Sequence, residues 1–91
     1  MNLVDLIDQA ARQSHKSQAQ IASELGVKPA RISEWKSGVR KPDAGEIAFF
    51  AEKAGYRGIE VLQAVAEVES VIRPEHAHVW KRALNDDWRK R

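Results

Sequence analysis

Apolar residues recur along this chain at the three- and four-residue spacing of amphipathic helices. The first such segment ends near Ser14, with its apolar positions on one helical face at Leu3, Leu6, Ile7, Ala10 and Ala11. No segment alternates apolar and polar residues in the way that half-buried strands do, and the sequence contains no internal repeat. The pattern therefore predicts an all-α protein.

The second and third predicted helices meet at a sharp corner. Ser17, with Gln20 three residues later, is typical of a capping box, which begins a helix over about residues 18–25. Gly26 suits the left-handed position that ends a helix, and Pro29 suits the first turn of the next helix. The apolar positions of the two helices are predicted to face inward at Ile21, Ala22, Leu25, Ile32 and Trp35.

Three more helices are predicted after this corner. Asp43 and Glu46 have the spacing of a second capping box, so a fourth helix begins there, with Ile47, Phe50 and Ala51 facing inward. A fifth helix is predicted over about residues 59–71. Pro74 then breaks or kinks the chain before a final helix over about residues 75–89.

Length and composition exclude several classes of protein. The chain has 91 residues, the size of one small domain, and no cysteine, which excludes disulfides and cysteine metal sites. No apolar run approaches the ~20 residues of a membrane span, and the opening MNLVDLIDQA lacks the basic start of a signal peptide. We expect a soluble cytoplasmic protein.

The net charge of +2 is distributed unevenly. Residues 12–42 carry seven basic and two acidic side chains, whereas residues 43–72 carry two basic and six acidic ones. This polarity indicates a surface with one face suited to an anion. A charged surface that is merely solvated explains the same counts, and charge alone does not separate the two interpretations.

The corner has the physical features of a helix-turn-helix. Ala22 is small enough to let two helices cross steeply, and Val27 can fill the gap between them. In such a unit the second helix of the pair, here the third predicted helix, projects into the major groove of DNA. This groove is about 12 Å wide and admits one helix. The outer face of the third predicted helix is polar, as this role requires, at Lys28, Arg31, Ser33, Glu34 and Lys36.

The stretch SQAQIASELGVKPARISEWKSGVRKP resembles the lambda-type phage repressor and Cro (XRE) family of helix-turn-helix proteins. The resemblance covers residues 3–55 and extends to the fifth helix, and it rests on a set of positions: Gln18, Ile21, Ala22, Gly26, Val27, Ile32, Ser33, Trp35, Gly38 and Pro42. It implies a five-helix DNA-binding domain, which we place at residues 1–72 with the helix-turn-helix at about residues 17–37. A helical extension follows at residues 73–91.

The resemblance also implies which residues meet double-stranded DNA. Gln18 matches a phosphate contact at the start of the second helix, where backbone N–H groups add to the grip. Pro29, Ala30, Ser33 and Glu34 occupy positions that face base edges, and basic side chains flank them or lie in the following loop. The predicted DNA-binding set is Ser17, Gln18, Lys28, Pro29, Ala30, Arg31, Ser33, Glu34, Lys36, Arg40 and Lys41.

Two departures from the family pattern change the expected contacts. Pro29 and Ala30 stand where the family often has glutamine or serine, and neither donates to a base, although either can touch a thymine methyl. Readout then shifts to Lys28, Arg31, Ser33 or Glu34. Lys36 stands where the family often has glutamate, which implies the loss of an internal ion pair and the gain of a phosphate contact. Glu34 either accepts from a cytosine amino group or pairs with Lys36 or Arg31.

The C-terminal segments carry more apolar surface than a small DNA-binding domain requires. Either they pack back onto the monomer or they form a homodimer interface. We favour the dimer, because its two-fold axis would match a palindromic operator. The predicted interface residues are Val61, Leu62, Val65, Val68, Ile72, Trp80, Leu84 and Trp88.

No arrangement of residues points to catalysis, a metal or another cofactor. His76 and His78 are two positions apart, so their side chains diverge on a helix instead of converging on a metal. We therefore expect a binding protein and not an enzyme.

Three functions are consistent with these observations. The leading hypothesis is a sequence-specific DNA-binding regulator of the phage or prophage repressor type, controlled by its concentration, a partner or an antirepressor. The second is an antitoxin-type autoregulator that binds a toxin through its C-terminal segment. The third is a helical interaction module without DNA binding, and the basic residues of positions 28–41 argue against it.

Overall fold

The computed structural model describes residues 1–85 of the chain. This part is all helical, with no strand, as the apolar pattern predicts. It contains six α-helices and one 3-10 turn: α1 Leu3–Ser14, α2 Gln18–Leu25, α3 Pro29–Ser37, α4 Ala44–Lys53, α5 Ile59–Ile72, the 3-10 turn Pro74–His76, and α6 Ala77–Asn85. None of these helices is both long and apolar enough to cross a membrane.

Polar side chains cap the starts of α1, α2 and α4, and both predicted capping boxes are present. At α2, Ser17 Oγ accepts from the Gln20 N–H and Gln20 Oε1 accepts from the Ser17 N–H, at 3.1 and 2.8 Å. Asp43 and Glu46 make the same reciprocal pair at the start of α4. These bonds satisfy backbone donors that a helix start would otherwise leave without partners.

The core lies where α4 packs against α1 and α5, and where α1 packs against α3 of the α2–α3 corner. Trp35 of α3 is almost fully buried, as predicted, and its ring meets Phe50 of α4 edge to face at 5.9 Å. Phe50 is fully buried, while its neighbour Phe49 is half-buried against the same core. The largest fully buried side chains are Phe50, Leu6, Ile7, Ile21, Ile32, Ile47, Val68 and Pro42.

The apolar face of α5 belongs to this core, which corrects part of the predicted dimer interface. Val65 is 2% exposed and Val68 0% exposed, so neither is available to a second chain. α5 packs against α4, and this packing covers part of the apolar surface that appeared to be in excess. Val61, Ile72 and Trp80 are partly buried and also pack against the core. Leu62 is 50% exposed, Leu84 is half-buried, and Trp88 lies outside the described residues.

The chain breaks at Pro74, as predicted, and then reverses. Pro74 opens the 3-10 turn, and α6 then packs back against α5. The buried Glu69 of α5 stabilises this reversal, because its carboxylate accepts from Arg73 Nη1 at 2.8 Å and lies 3.1 Å from His76 Nδ1. The last part of the predicted final helix lies outside the described residues. The division into domains at residue 72 stays a prediction.

Candidate nucleic-acid interface

The turn between α2 and α3 is built on Gly26. Its φ of +81° is left-handed, and the Val27 N–H bonds back to the Ala22 carbonyl at 2.9 Å, which closes the end of α2. A Cβ at Gly26 would meet nothing within 4 Å, so the backbone angle and not space requires glycine here. Lys28 is extended, and Pro29 then opens α3.

Buried side chains fix the angle between the two helices. Ile21 and Ala22 of α2 and Ile32 of α3 are fully buried, and Trp35 nearly so. Val27 is half-buried in the turn and packs against the same core, as predicted for a residue that fills the gap. α3 is therefore held by its inner face, and its opposite face is presented to solvent.

The outward face of α3 carries the residues predicted to face bases. Pro29, Ala30 and Ser33 are exposed. At 100° per residue, Ala30 and Ser33 lie on the side away from Ile32 and Trp35, and Pro29 lies at the border of that side. Lys28 is exposed at the start of the helix. This single ridge is free of large apolar side chains and has the width of one helix, which is what the major groove admits.

The start of α2 lies at the end of that helix away from the turn. Ser17 is exposed, and its hydroxyl oxygen accepts within the capping box, so the part of Ser17 that is left for a ligand is its O–H donor. Gln18 occupies the first helical position and is half-buried. A helix start presents unpaired N–H groups and the positive end of the helix dipole, which together favour a phosphate.

Glu34 lies between two arginines. Its Oε1 is 3.5 Å from Nε of Arg31, one turn before it, and 3.2 Å from Nε of Arg40 in the following loop. Of the alternatives open from the sequence, the ion pair with Arg31 is present and Lys36 is not the partner. The partnership with Arg40 was missed, because it depends on how the chain turns after α3.

Lys36 makes an internal ion pair, contrary to expectation. Its Nζ donates to Asp8 Oδ1 of α1 at 2.8 Å. The expected loss of an internal pair at this position is therefore wrong: a pair is present, with the cation on α3 and the anion on α1. Lys36 is half-buried, and the pair directs its ammonium toward α1.

The loop after α3 closes back on the helix. Gly38 is left-handed at φ +83°, and the N–H groups of Val39 and Arg40 both donate to the Glu34 carbonyl, at 3.0 and 3.3 Å. Pro42 is fully buried and anchors the far end of the loop. Arg40 and Lys41 are consequently held at the surface beside α3, where both are exposed.

The sequence profile of the helix-turn-helix family matches residues 7–62, more than half of the 91-residue chain. The chain belongs to the helix-turn-helix family. This is a family of DNA-binding transcription regulators and not a family of enzymes. No curated protein and no solved structure shows significant similarity to the chain.

Ion pairs between helices reduce the number of basic groups that the helix-turn-helix presents. Glu24 of α2 accepts from Lys16 at 2.5 Å and from Lys53 at 2.6 Å. The hydrogen bond from Lys16, supported by the one from Lys53, lowers the pKa of Glu24, and the bond to Glu24 raises the pKa of Lys16. Together with Lys36, two basic residues of segment 12–42 are thus balanced by carboxylates of neighbouring helices.

One exposed residue of the loop after α3 was not singled out from the sequence. Val39 is 72% exposed between α3 and Arg40, and is an apolar side chain at the edge of a polar surface. Its position after Gly38, in a loop with the basic neighbours Arg40 and Lys41, is the sequence signal that could have marked it. A valine there can touch a sugar or a thymine methyl.

Proposed function

We propose that this regulator is a sequence-specific repressor of the phage or prophage type, which binds a palindromic operator in double-stranded DNA as a homodimer. The single observation that carries this proposal is that α3 has one buried face and one exposed face. Ile32 and Trp35 are buried, whereas the opposite face is exposed and polar and is flanked by Lys28 and the loop of Arg40. A rigid ridge with basic flanks fits a major groove between two phosphate backbones.

The proposed roles follow from the position of each side chain. Arg31 reads a guanine, because a guanidinium can donate two bonds to one guanine edge. Ser33 bonds a neighbouring base, and Pro29 and Ala30 meet thymine methyl groups or bare base edges. Lys28, Arg40, Lys41 and Val39 lie along the backbones, and Gln18 with Ser17 meets a phosphate at the start of α2.

Dimerisation is supported by the apolar side chains that the core leaves accessible. Leu62 of α5 is 50% exposed and Ile59 is 40% exposed. Trp80 and Leu84 of α6, together with Ala66, line a shallow groove between α5 and α6. One recognition helix reads too few base pairs to find one site in a genome, and a two-fold dimer doubles the sequence that is read.

Selection of bound duplexes from a random DNA pool tests this function. We expect enrichment of a palindrome whose half-sites are about 10 bp apart, one helical turn. The matched variants are Arg31→Ala with Lys41→Ala, which removes two charges from the proposed interface, and Arg57→Ala with Arg82→Ala, which removes two from exposed positions outside both that interface and the α5–α6 groove. Enrichment should be lost only in the first pair. A wild-type protein that enriches no sequence would exclude the proposal, and an asymmetric site would exclude the dimeric operator.

A further inference from the structure

Glu34 is the one acidic residue between positions 28 and 42, where five charged residues are basic. It is partly exposed, as are Arg31 and Arg40, so its carboxylate and both guanidinium groups face solvent at the proposed DNA surface. An ion pair at such exposure contributes little to folding, on the order of 0–1 kcal/mol. Its effect is therefore expected in DNA binding more than in stability.

The backbone holds this cluster together. The Glu34 carbonyl accepts from the N–H groups of Val39 and Arg40 and from Ser37 Oγ, which fastens the loop to α3. Because the loop is fastened, the Arg40 side chain can return to the Glu34 carboxylate. The main chain of Glu34 thus positions Arg40, and its side chain then pairs with Arg40 and Arg31 together.

The pairing leaves donors available on both arginines. Each meets Glu34 through Nε, and a guanidinium has four further N–H donors on its two terminal nitrogens. Those terminal N–H groups can donate hydrogen bonds to a guanine edge while Nε stays paired with Glu34. The carboxylate itself only accepts hydrogen bonds and repels phosphate, so it opposes any binding mode that brings α3 close to a backbone.

We propose that Glu34 determines specificity by weakening random DNA binding while it orients Arg31 for a base; this rests on the proposed DNA-binding function. Random binding depends almost wholly on phosphate contacts, and there Glu34 both repels phosphate and competes for Arg31 and Arg40. At an operator, Glu34 competes less with the DNA for Arg31, because Arg31 donates to the base through its terminal nitrogens and keeps Nε for Glu34. Glu34 is thus a positioning residue for Arg31 and a counter-ion against indiscriminate binding.

Glu34→Gln tests this directly, because it removes the charge and keeps both the side-chain length and the carbonyl that fastens the loop. Dissociation constants are measured for a random duplex and for the selected operator, at about 50–200 mM salt. One added phosphate contact steepens the log–log salt slope by about 0.9, which at about 0.15 M salt tightens binding about fivefold. We expect this change on random DNA, with operator affinity unchanged or weaker, so that the specificity ratio falls about fivefold or more.

Two further variants separate the cause. Glu75→Gln removes an exposed carboxylate from the 3-10 turn and changes the net charge equally, and we expect it to leave the specificity ratio unchanged. In an Arg40→Ala background the effect of Glu34→Gln should shrink, since one competing cation is gone. Thermal unfolding by circular dichroism checks that each variant is folded.

The outcomes distinguish the two proposals. If Glu34→Gln binds random DNA with wild-type affinity and salt slope while the wild type still selects an operator, the role of Glu34 is overturned and the function stands. If Glu75→Gln tightens random binding as much as Glu34→Gln does, net charge is the cause, and the role of Glu34 is again overturned. If the wild type binds no duplex, the proposed function fails, and the role of Glu34 fails with it.

Discussion

Lys36 of α3 donates to Asp8 of α1 across 2.8 Å, joining the proposed recognition helix to the first helix of the domain. The two residues are 28 positions apart in the sequence. Ile32 and Trp35 bury the inner face of α3, and the ion pair lies at the border of that face. The ion pair restrains rotation of α3 about its own axis, so α3 is positioned by this pair as well as by apolar packing.

The first prediction concerns the Asp8–Lys36 ion pair. Asp8→Asn, Lys36→Gln and the double variant form a cycle, and urea unfolding should give a coupling free energy of about 0.2–1 kcal/mol, as for other partly exposed pairs. The two single variants should each lose about the same stability. A coupling indistinguishable from zero would mean that the two charges are adjacent without stabilising one another.

The second prediction concerns base readout. Arg31→Ala should lose discrimination between the operator and random DNA by about 1–3 kcal/mol, because a bidentate guanine contact is specific to one base. Competition binding with the selected operator and with operators altered at single positions measures this loss. Equal weakening on specific and random DNA would instead make Arg31 a phosphate contact.

The third prediction compares two neighbours in the loop after α3. Lys41→Ala should weaken binding to all sequences alike and flatten the log–log salt slope by about 0.9, the effect of one lost phosphate contact. Arg40→Ala should flatten it less, because Glu34 already neutralises part of the Arg40 charge. Titrations on random duplex DNA give both slopes. Equal slopes for the two variants would show that the Glu34 pair breaks completely on DNA.

The fourth prediction uses two helix ends with the same backbone. His15 ends α1 at φ +57° and Gly26 ends α2 at φ +81°, each followed by an N–H that bonds back to the helix. Since the left-handed region costs an L-residue about 1–2 kcal/mol, Gly26→Ala should destabilise the fold by about that amount. His15→Gly should stabilise it by about 0.5–1 kcal/mol, after the entropy of glycine in the unfolded chain is subtracted.

Chemical unfolding measures both changes, and DNA titration separates them further. His15 is at the end of α1, outside the corner, so its variant should bind DNA as the wild type does. Gly26 sets the path from α2 to α3, so its variant should also bind DNA more weakly at temperatures where it is still folded. Two variants with equal and small effects on unfolding would contradict the left-handed requirement.

The corner could be predicted from sequence because its signals are local. Ser17, Gly26 and Gly38 each set a helix end through bonds to residues a few positions away, and Pro29 suits the first turn of α3 through its fixed φ. The helices begin and end where those residues indicate. The resemblance to the family, which includes Gly26 and Gly38 among its positions, implied the five-helix arrangement of the domain. Burial of Trp35 follows from the three- and four-residue apolar spacing of α3.

Contacts between distant segments could not be predicted in this way. An apolar face on α5 reads the same whether a neighbouring helix or a second chain covers it, and only the position of α4 places Val65 and Val68 inside. The Asp8–Lys36 pair likewise requires α1 beside α3. The Glu34–Arg40 pair requires the loop to close on the Glu34 carbonyl, which depends on the left-handed Gly38.

The last prediction concerns assembly, which now depends on the apolar residues outside the core. With Val65 and Val68 buried in the monomer, the proposed dimer interface reduces to Leu62 and the α5–α6 groove of Trp80 and Leu84. Burial of a large apolar side chain contributes about 1.5–3 kcal/mol, and two-fold symmetry counts each such side chain twice. A few residues can therefore offset an association cost of about 4–15 kcal/mol.

The double variant Leu62→Asp with Leu84→Asp should sediment as a monomer in sedimentation velocity. Its affinity for the operator should fall roughly 10²-fold or more, because the two half-sites are then no longer bound by one linked dimer. The helical circular dichroism spectrum should remain, because neither side chain belongs to the buried core. Val71→Asp is the matched control: Val71 is exposed on the same helix, nine residues and about 180° from Leu62, so its variant should stay dimeric. A wild-type protein that stays monomeric at high micromolar concentration, both free and on DNA, would exclude the dimer. A dimer that survives the double variant but not Val71→Asp would move the interface to the opposite side of α5.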